Sequence, residues 1–270
     1  MDKSMSIVSK VEQQKRAGRF NIYIADEFAF AVAETVLIRF NLFKGRELTP
    51  SLITEIKQAD QEAKALQTAY VYLSQQLRSR YEVQQKLQQA EINTATIELI
   101  LARLSAEHLI DDLAYAQSLV RTVANTSVKG PQVIKQLLYQ KRIATDISER
   151  ALNEYPVELQ IENATKLYFQ LAKRYQKLAN FAKQQKIYQT LMQKGYSSAI
   201  IEQVVADNEL PTDSTAEKQN LAHLAEKIWQ RNRNLEPAKR TLKTKQALYN
   251  KGFQGDDINE IIATLASPEF

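Results

Sequence analysis

The chain has 270 residues, 44% hydrophobic and 25% charged, with 6 Gly, 6 Pro, no Cys and a formal net charge of +5. Average usage would give about nineteen Gly and thirteen Pro at this length, so a turn-rich all-β chain is excluded, and the apolar content excludes wholesale disorder. Lack of cysteine removes disulfides, thiolate nucleophiles and Cys-bound zinc or iron. The N-terminus carries no apolar signal-peptide core, and no stretch approaches the ~20 apolar residues of a membrane span. A soluble, mostly helical, cytoplasmic protein with no membrane partner is therefore expected, built as two ordinary domains or as an array of smaller units.

Residues 1–50 differ from the rest. Ser6 to Glu12, Phe20 to Ile24 and Phe28 to Val32 alternate or run apolar with β-formers, with Gly18 between the first two and Ala25-Asp26-Glu27 as a tight turn. This predicts a small antiparallel meander. Thr35 to Phe43 predicts a short helix closed by Lys44-Gly45, and Pro50 opens a longer one. Leu66, Ala69, Tyr70, Leu73 and Leu77 then recur at helical spacing.

The remainder repeats. A Leu is followed five residues later by a second apolar anchor, and that by an apolar pair eight and nine residues further on. The four sets are Leu87, Ile92, Ile100/Leu101; Leu138, Ile143, Ala151/Leu152; Leu191, Tyr196, Val204/Val205; and Leu248, Phe253, Ile261/Ile262, with the Leu anchors 51, 53 and 57 residues apart. Asn93-Thr94, Thr145-Asp146, Ser197-Ser198 and Asp256-Asp257 precede the third helix of each unit as helix-starting acceptors. Gly195 and Gly252 suit a left-handed helix end, and Pro156, Pro211 and Pro268 follow the third helices. Among the middle helices, Ser79 to Glu82 reads as a capping box, while Pro131 and Pro237 suit first helical positions. Pro237 lies eleven residues before its anchor, against seven for Pro131, so the last middle helix should be about one turn longer. The expected fold is mainly α: tandem three-helix repeats at 51–105, 106–156, 157–211 and 212–270 in an extended curved array, behind a small N-terminal antiparallel β subdomain.

The charge is uneven. Lys166 to Lys194 is +7 with no acidic residue, Lys218 to Lys251 is also +7, and the rest of the chain is left at −9. Both basic stretches interleave aromatics, namely Tyr168, Phe169, Tyr175, Phe181 and Tyr188, then Trp229, Tyr249 and Phe253. A solvated helix face explains one such run; two of them suggest a polyanion partner, with exposed aromatics stacking on bases and buried ones forming the repeat cores.

Catalytic constellations are thin. His108 and His223 lie far apart with no metal-ligand spacing, and Lys129-Gly130-Pro131 lacks the full phosphate-loop pattern. Asp111-Asp112 and Asp256-Asp257 sit before apolar helical segments, where capping explains them better than acid/base chemistry. No enzyme, cofactor or metal is expected.

Several segments carry a family resemblance. RSRYEVQQKL (Arg78 to Leu87), LIDDLAYAQSLV (Leu109 to Val120) and KGPQVIKQLLYQKRI (Lys129 to Ile143) resemble, in order and spacing, signature segments of the RecX regulatory proteins. GRFNIYIADEFAFAV and KGRELTP resemble the β-hairpin extension of the longer, Gram-positive-type members. Val83 stands where the family favours Leu, and Lys141-Arg142-Ile143 replaces Lys-Gly-Ile, which predicts a different helix ending there. The resemblance implies a monomeric modulator of the RecA recombinase that binds the RecA filament on single-stranded DNA in its groove. It would inhibit filament extension, ATPase, strand exchange and coprotease activity, with some affinity for DNA itself, single-stranded or double-stranded. The inferred binding positions are the family-matched Arg78, Arg80, Lys86, Lys129 and Lys135, joined by Lys141 and Arg142 and, from the basic stretches, by Arg174, Lys183, Lys186, Arg231, Arg233, Lys239, Arg240, Lys243 and Lys245. The rival expectation is a stand-alone helical-repeat DNA/RNA-binding protein with no recombinase partner.

Overall fold

The structure, a computed structural model, describes residues 5–15, 18–208 and 214–267. Pro211 and Pro268 lie outside them. Strands β1 (Ser6–Gln13), β2 (Arg19–Ile24), β3 (Glu27–Ala33) and β4 (Glu47–Leu48) form an antiparallel sheet of order β3-β2-β1-β4. The expected meander is present, with a fourth strand whose two residues pair Ser6 with Leu48 and Ile7 with Glu47, too short to show a period. Ala25 and Asp26 both take positive φ (49° and 64°), as a two-residue hairpin whose twist matches its strands requires.

Helix α1 (Glu34–Arg39) corrects an expectation: it stops at Phe40, and Asn41 takes the left-handed conformation (φ 51°). Gly45 lies in the following turn, where its amide donates to the Val8 carbonyl at 2.8 Å. Asn reaches the left-handed region more readily than most L residues, so it ends the helix four residues before the glycine.

Helix α2 (Pro50–Leu73) serves two cores. Its first half buries Ile56 and Ala59 with Val8, Ile22, Val32 and Leu48 of the sheet, and its second half buries Ala65 and Ala69 with the first repeat. The Arg19 guanidinium and the Ala33 amide both donate to Asp60 of α2, at 2.9 and 2.7 Å. The helix ends before Leu77, which is 60% exposed rather than part of the apolar face.

Four sets of three helices follow: α2 with α3 (Arg80–Gln89) and α4 (Thr94–Ala106); α5 (Asp112–Thr126), α6 (Pro131–Gln140) and α7 (Thr145–Leu152); α8 (Val157–Arg174), α9 (Asn180–Gln193) and α10 (Ser198–Asp207); α11 (Ser214–Arg231), α12 (Pro237–Tyr249) and α13 (Gly255–Ala266). All four Leu anchors are fully buried, each contributing about 1.5–3 kcal/mol of hydrophobic stabilisation. The second anchors Ile92, Ile143, Tyr196 and Phe253 are buried beside them in sequence, at 2–5% exposure. At 13 residues against 10, α12 exceeds α6 by about a turn, as the proline spacing predicts.

Helix starts follow the sequence in part. Ser79 and Glu82 form the reciprocal capping box, Asn93 caps α4 and Ser197 caps α10. In the last unit α13 begins earlier, at Gly255, with Gln254 at the cap and no side-chain cap bond; Asp256 and Asp257 lie in the first turn, where they complement the helix dipole. Thr145 is likewise the first residue of α7 rather than its flank.

The turn after each middle helix is left-handed in every repeat: Glu91 (φ 60°), Arg142 (57°), Gly195 (89°) and Gly252 (86°). Arg142 therefore does not alter the helix ending; it adopts the glycine conformation with a side chain attached. That conformation is unfavourable for L residues by about 1–2 kcal/mol. Arg142→Gly is expected to raise stability by about 1 kcal/mol, read as a higher urea midpoint with unchanged slope.

By compactness the chain divides into two units, residues 1–116 with 139–147, and residues 117–138 with 148–270. The short segment joins the first unit because its turn packs on α3: Lys141 binds Glu82 at 2.6 Å, and the Arg142 guanidinium lies 5.9 Å from the Tyr81 ring centre.

Candidate nucleic-acid interface

In the first unit, five of the expected basic residues gather around α3. Arg78 lies half-buried on the chain entering the helix, its guanidinium 4.1 Å from the Tyr72 ring centre. With its amide oxygen turned inward, Gln76 accepts from both terminal nitrogens of Arg78, while the buried Arg78 Nε has no partner among the described residues. Arg78 therefore packs the end of α2 against the start of α3. Arg80 is also engaged: its guanidinium donates to Glu98 at 2.9 Å and its backbone amide to Asp112 at 2.8 Å. Lys86 and Arg142 are exposed, and among the described residues neither forms an ion pair.

Glu82 is the hub beneath them. It completes the capping box, accepts from Lys141 and lies in hydrogen-bonding contact with Tyr115. Burial works to raise its pKa, but the Lys141 ammonium, the Ser79 amide and the Tyr115 hydroxyl outweigh it and hold the carboxyl below the usual range. Burial, and then the Glu82 charge, push the Tyr115 hydroxyl up to about 12. Burial likewise raises Asp112, against the opposing pull of the Arg80 amide. The Asp111-Asp112 pair thus divides its work: Asp111 caps α5 through the Leu113 and Ala114 amides, as expected, and Asp112 caps α3. Between these groups a groove of about 370 Å³ opens, lined by Tyr72, Tyr81, Glu82, Gln85, Lys86, Gln89, Gln140 and Lys141.

In the second unit the expected cations are more dispersed. Lys129 precedes Gly130 and is half-buried, and Lys135 pairs with Glu149 at 3.1 Å. Arg174 and Lys186 flank the Tyr175 ring at 5.8 and 5.6 Å, and Lys183 lies in the first turn of α9. Arg240 covers Trp229 at 4.0 Å while its Nε donates to the Trp229 carbonyl, and Lys245 donates to Asn259. Arg231, Arg233, Lys239 and Lys243 are exposed, with no ion pair among the described residues.

The aromatics divide as well. Tyr168, Trp229 and Phe253 are buried, Tyr175 and Tyr188 half-buried, and Phe169, Phe181 and Tyr249 are 52%, 66% and 69% exposed. Trp229 is thus core, whereas three rings are open to solvent. Sequence reasoning missed Tyr72, Tyr81 and Tyr115 beside the cations; their only signal was helical spacing, which core residues share.

No helix among the described residues is long and apolar enough to cross a membrane. Family models match in order along the chain: the regulatory protein RecX N-terminal domain at residues 6–49, the first three-helix domain at 65–104, the second at 111–152, and the third twice, at 158–205 and 216–262. Curated relatives described as regulatory protein RecX include that of Leuconostoc mesenteroides, 44% identical over 97% of this chain and 98% of the relative. Those of Levilactobacillus brevis (41%; 97% and 98%) and Listeria monocytogenes (36%; 96% of each) also match. A crystal structure of regulatory protein RecX superposes with a TM-score of 0.65 at 43% identity, covering 75% of this chain and all of the other. That of RecX from Lactobacillus salivarius gives 0.53 at 43% identity, covering 55% and 97%. The chain belongs to the RecX regulatory protein family.

Proposed function

We propose that the chain is a negative modulator of the RecA recombinase that binds the RecA filament on single-stranded DNA. By blocking filament extension it would lower ATPase, strand exchange and coprotease activity. The observation that carries the reading is the ordered match of five segments, from residue 6 to residue 262, to the RecX models, with the third three-helix model used twice. The surface cations support it, since Lys86, Arg142, Arg231, Arg233, Lys239 and Lys243 are exposed and, among the described residues, outside any ion pair, so they can meet phosphates or an acidic protein wall.

The test is single-stranded-DNA-dependent ATP hydrolysis by RecA with the chain titrated in. Hydrolysis is expected to fall well below one molecule per RecA, and the Lys86→Glu/Arg142→Glu chain should need about tenfold more protein for the same effect. These two positions are better probes than Arg78 and Arg80, whose partners hold α3 in place. Inhibition that begins only when the DNA is covered would instead establish a stand-alone nucleic-acid-binding protein.

A further inference from the structure

We propose that the groove beside α3 is a nucleotide pocket that takes one unstacked base of single-stranded DNA, base inward and phosphate outward. The inference rests on the reading above that the chain meets single-stranded DNA, and adds that it grips a base as well as the backbone.

Size comes first. At about 370 Å³ the groove lies near the lower end of the ~300–1,000 Å³ of small-molecule sites, which suits a single nucleoside. Its aromatic wall is Tyr72 and Tyr81. Tyr81 is half-buried and, among the described residues, its hydroxyl forms no hydrogen bond, so its ring can receive a base, and stacking tolerates any base because each has a π-face. Three side-chain amides, Gln85, Gln89 and Gln140, line the same groove, and each offers both a donor and an acceptor to a base edge.

Charge fixes the orientation. Glu82 lines the groove, its carboxylate already paired with Lys141 at 2.6 Å and engaged in its own helix cap, so this ion pair adds no net charge and neither group is left to bind a phosphate. Lys86 and Arg142 are the exposed cations nearest the two rings, at 5.8 Å from Tyr72 and 5.9 Å from Tyr81. A nucleotide that sends its base into the groove against a tyrosine ring therefore leaves its phosphate with these two cations. A paired base inside a duplex has no free face to offer, so the site selects single strands.

The experiment uses the full chain without RecA and compares its affinity for labelled oligodeoxythymidylate with that for an equal-length abasic strand, which keeps every phosphate and removes every base. The base-bearing strand is expected to bind about tenfold more tightly. Tyr81→Leu should abolish that preference and Tyr81→Phe should keep it. Irradiating the unmodified chain with a 5-iododeoxyuridine strand should crosslink the peptides that carry Tyr72 or Tyr81, a readout that does not depend on a variant folding. Equal affinity for the two strands, a Tyr81→Leu loss that is the same for both, or crosslinks confined to the second unit would each overturn the pocket. Base preference without inhibition of RecA hydrolysis would sink the modulator reading and leave the pocket standing; inhibition without base preference would do the reverse.

Discussion

Gly130→Ala is expected to destabilise the chain by about 3 kcal/mol or more, seen as a large fall in the urea midpoint. Gly130 has no need of an unusual backbone angle; what it needs is the absence of a side chain. A Cβ there would lie 2.5 Å from the Gly195 carbonyl carbon and oxygen and 2.6 Å from the Tyr196 amide nitrogen, all backbone atoms that cannot rotate aside. Two backbone hydrogen bonds span the contact, from Gly130 N–H to Lys194 O at 2.7 Å and from Gln132 N–H to Gly195 O at 3.1 Å. Forcing the strands of chain apart would break both. Glycine thus meets glycine where the start of one middle helix abuts the left-handed turn of the next repeat. The same pairing of parts recurs as Arg142 on Tyr81, where a side chain is accommodated, and as Gly252 on Ala182, where a Cβ would again come too close, 2.7 Å from the Ala182 Cβ. Alanine at the solvent-open Gly255 should leave the midpoint within about 0.5 kcal/mol of its starting value, which makes it the control.

This joint explains what the sequence could and could not reveal. Ser79, Pro131 and Pro237 were legible because a cap or a missing N–H acts within one helical turn. The left-handed turns at Gly195 and Gly252 were legible for the same local reason, yet Glu91 and Arg142 adopt the same conformation without glycine. Tertiary packing selects the conformation there, and only the aligned repeat hints at it. Gly130 and Gly195 are 65 residues apart, so no local pattern links them. Around α3 the cations were legible as residue types, but not that Arg78 and Arg80 are bound to Tyr72 and Glu98 while Lys86 stays open. Asp112 illustrates the same limit, because its partner amide lies in the preceding repeat.

Asn163→Asp is expected to cost about 3–5 kcal/mol at neutral pH, although it exchanges only NH₂ for O. Asn163 is 4% exposed, and its Nδ2 donates to the Ala124 carbonyl at 2.8 Å and to the Tyr155 hydroxyl at 3.1 Å. Ala124 lies in the last turn of α5, where carbonyls lack a helical partner, so the amide of α8 satisfies an acceptor that burial would otherwise orphan. Nearby, the Tyr196 hydroxyl donates to the Val128 carbonyl, and burial together with Tyr155 pushes its ionisation far above the usual tyrosine range. An aspartate would place an unpaired charge in these surroundings, facing a carbonyl oxygen, so its folded-state pKa must rise above the unfolded value of about 3.9. The destabilisation is then full above the folded pKa and shrinks as pH falls toward the unfolded one, since the protonated acid can donate again. Urea midpoints should therefore show Asn163→Asp recovering between neutral and mildly acidic pH relative to the parent chain. Asn163→Ala should lose about 2–3 kcal/mol with no such recovery. Parallel pH profiles for the two variants would show that Asn163 acts by filling space rather than by donating its hydrogen bonds.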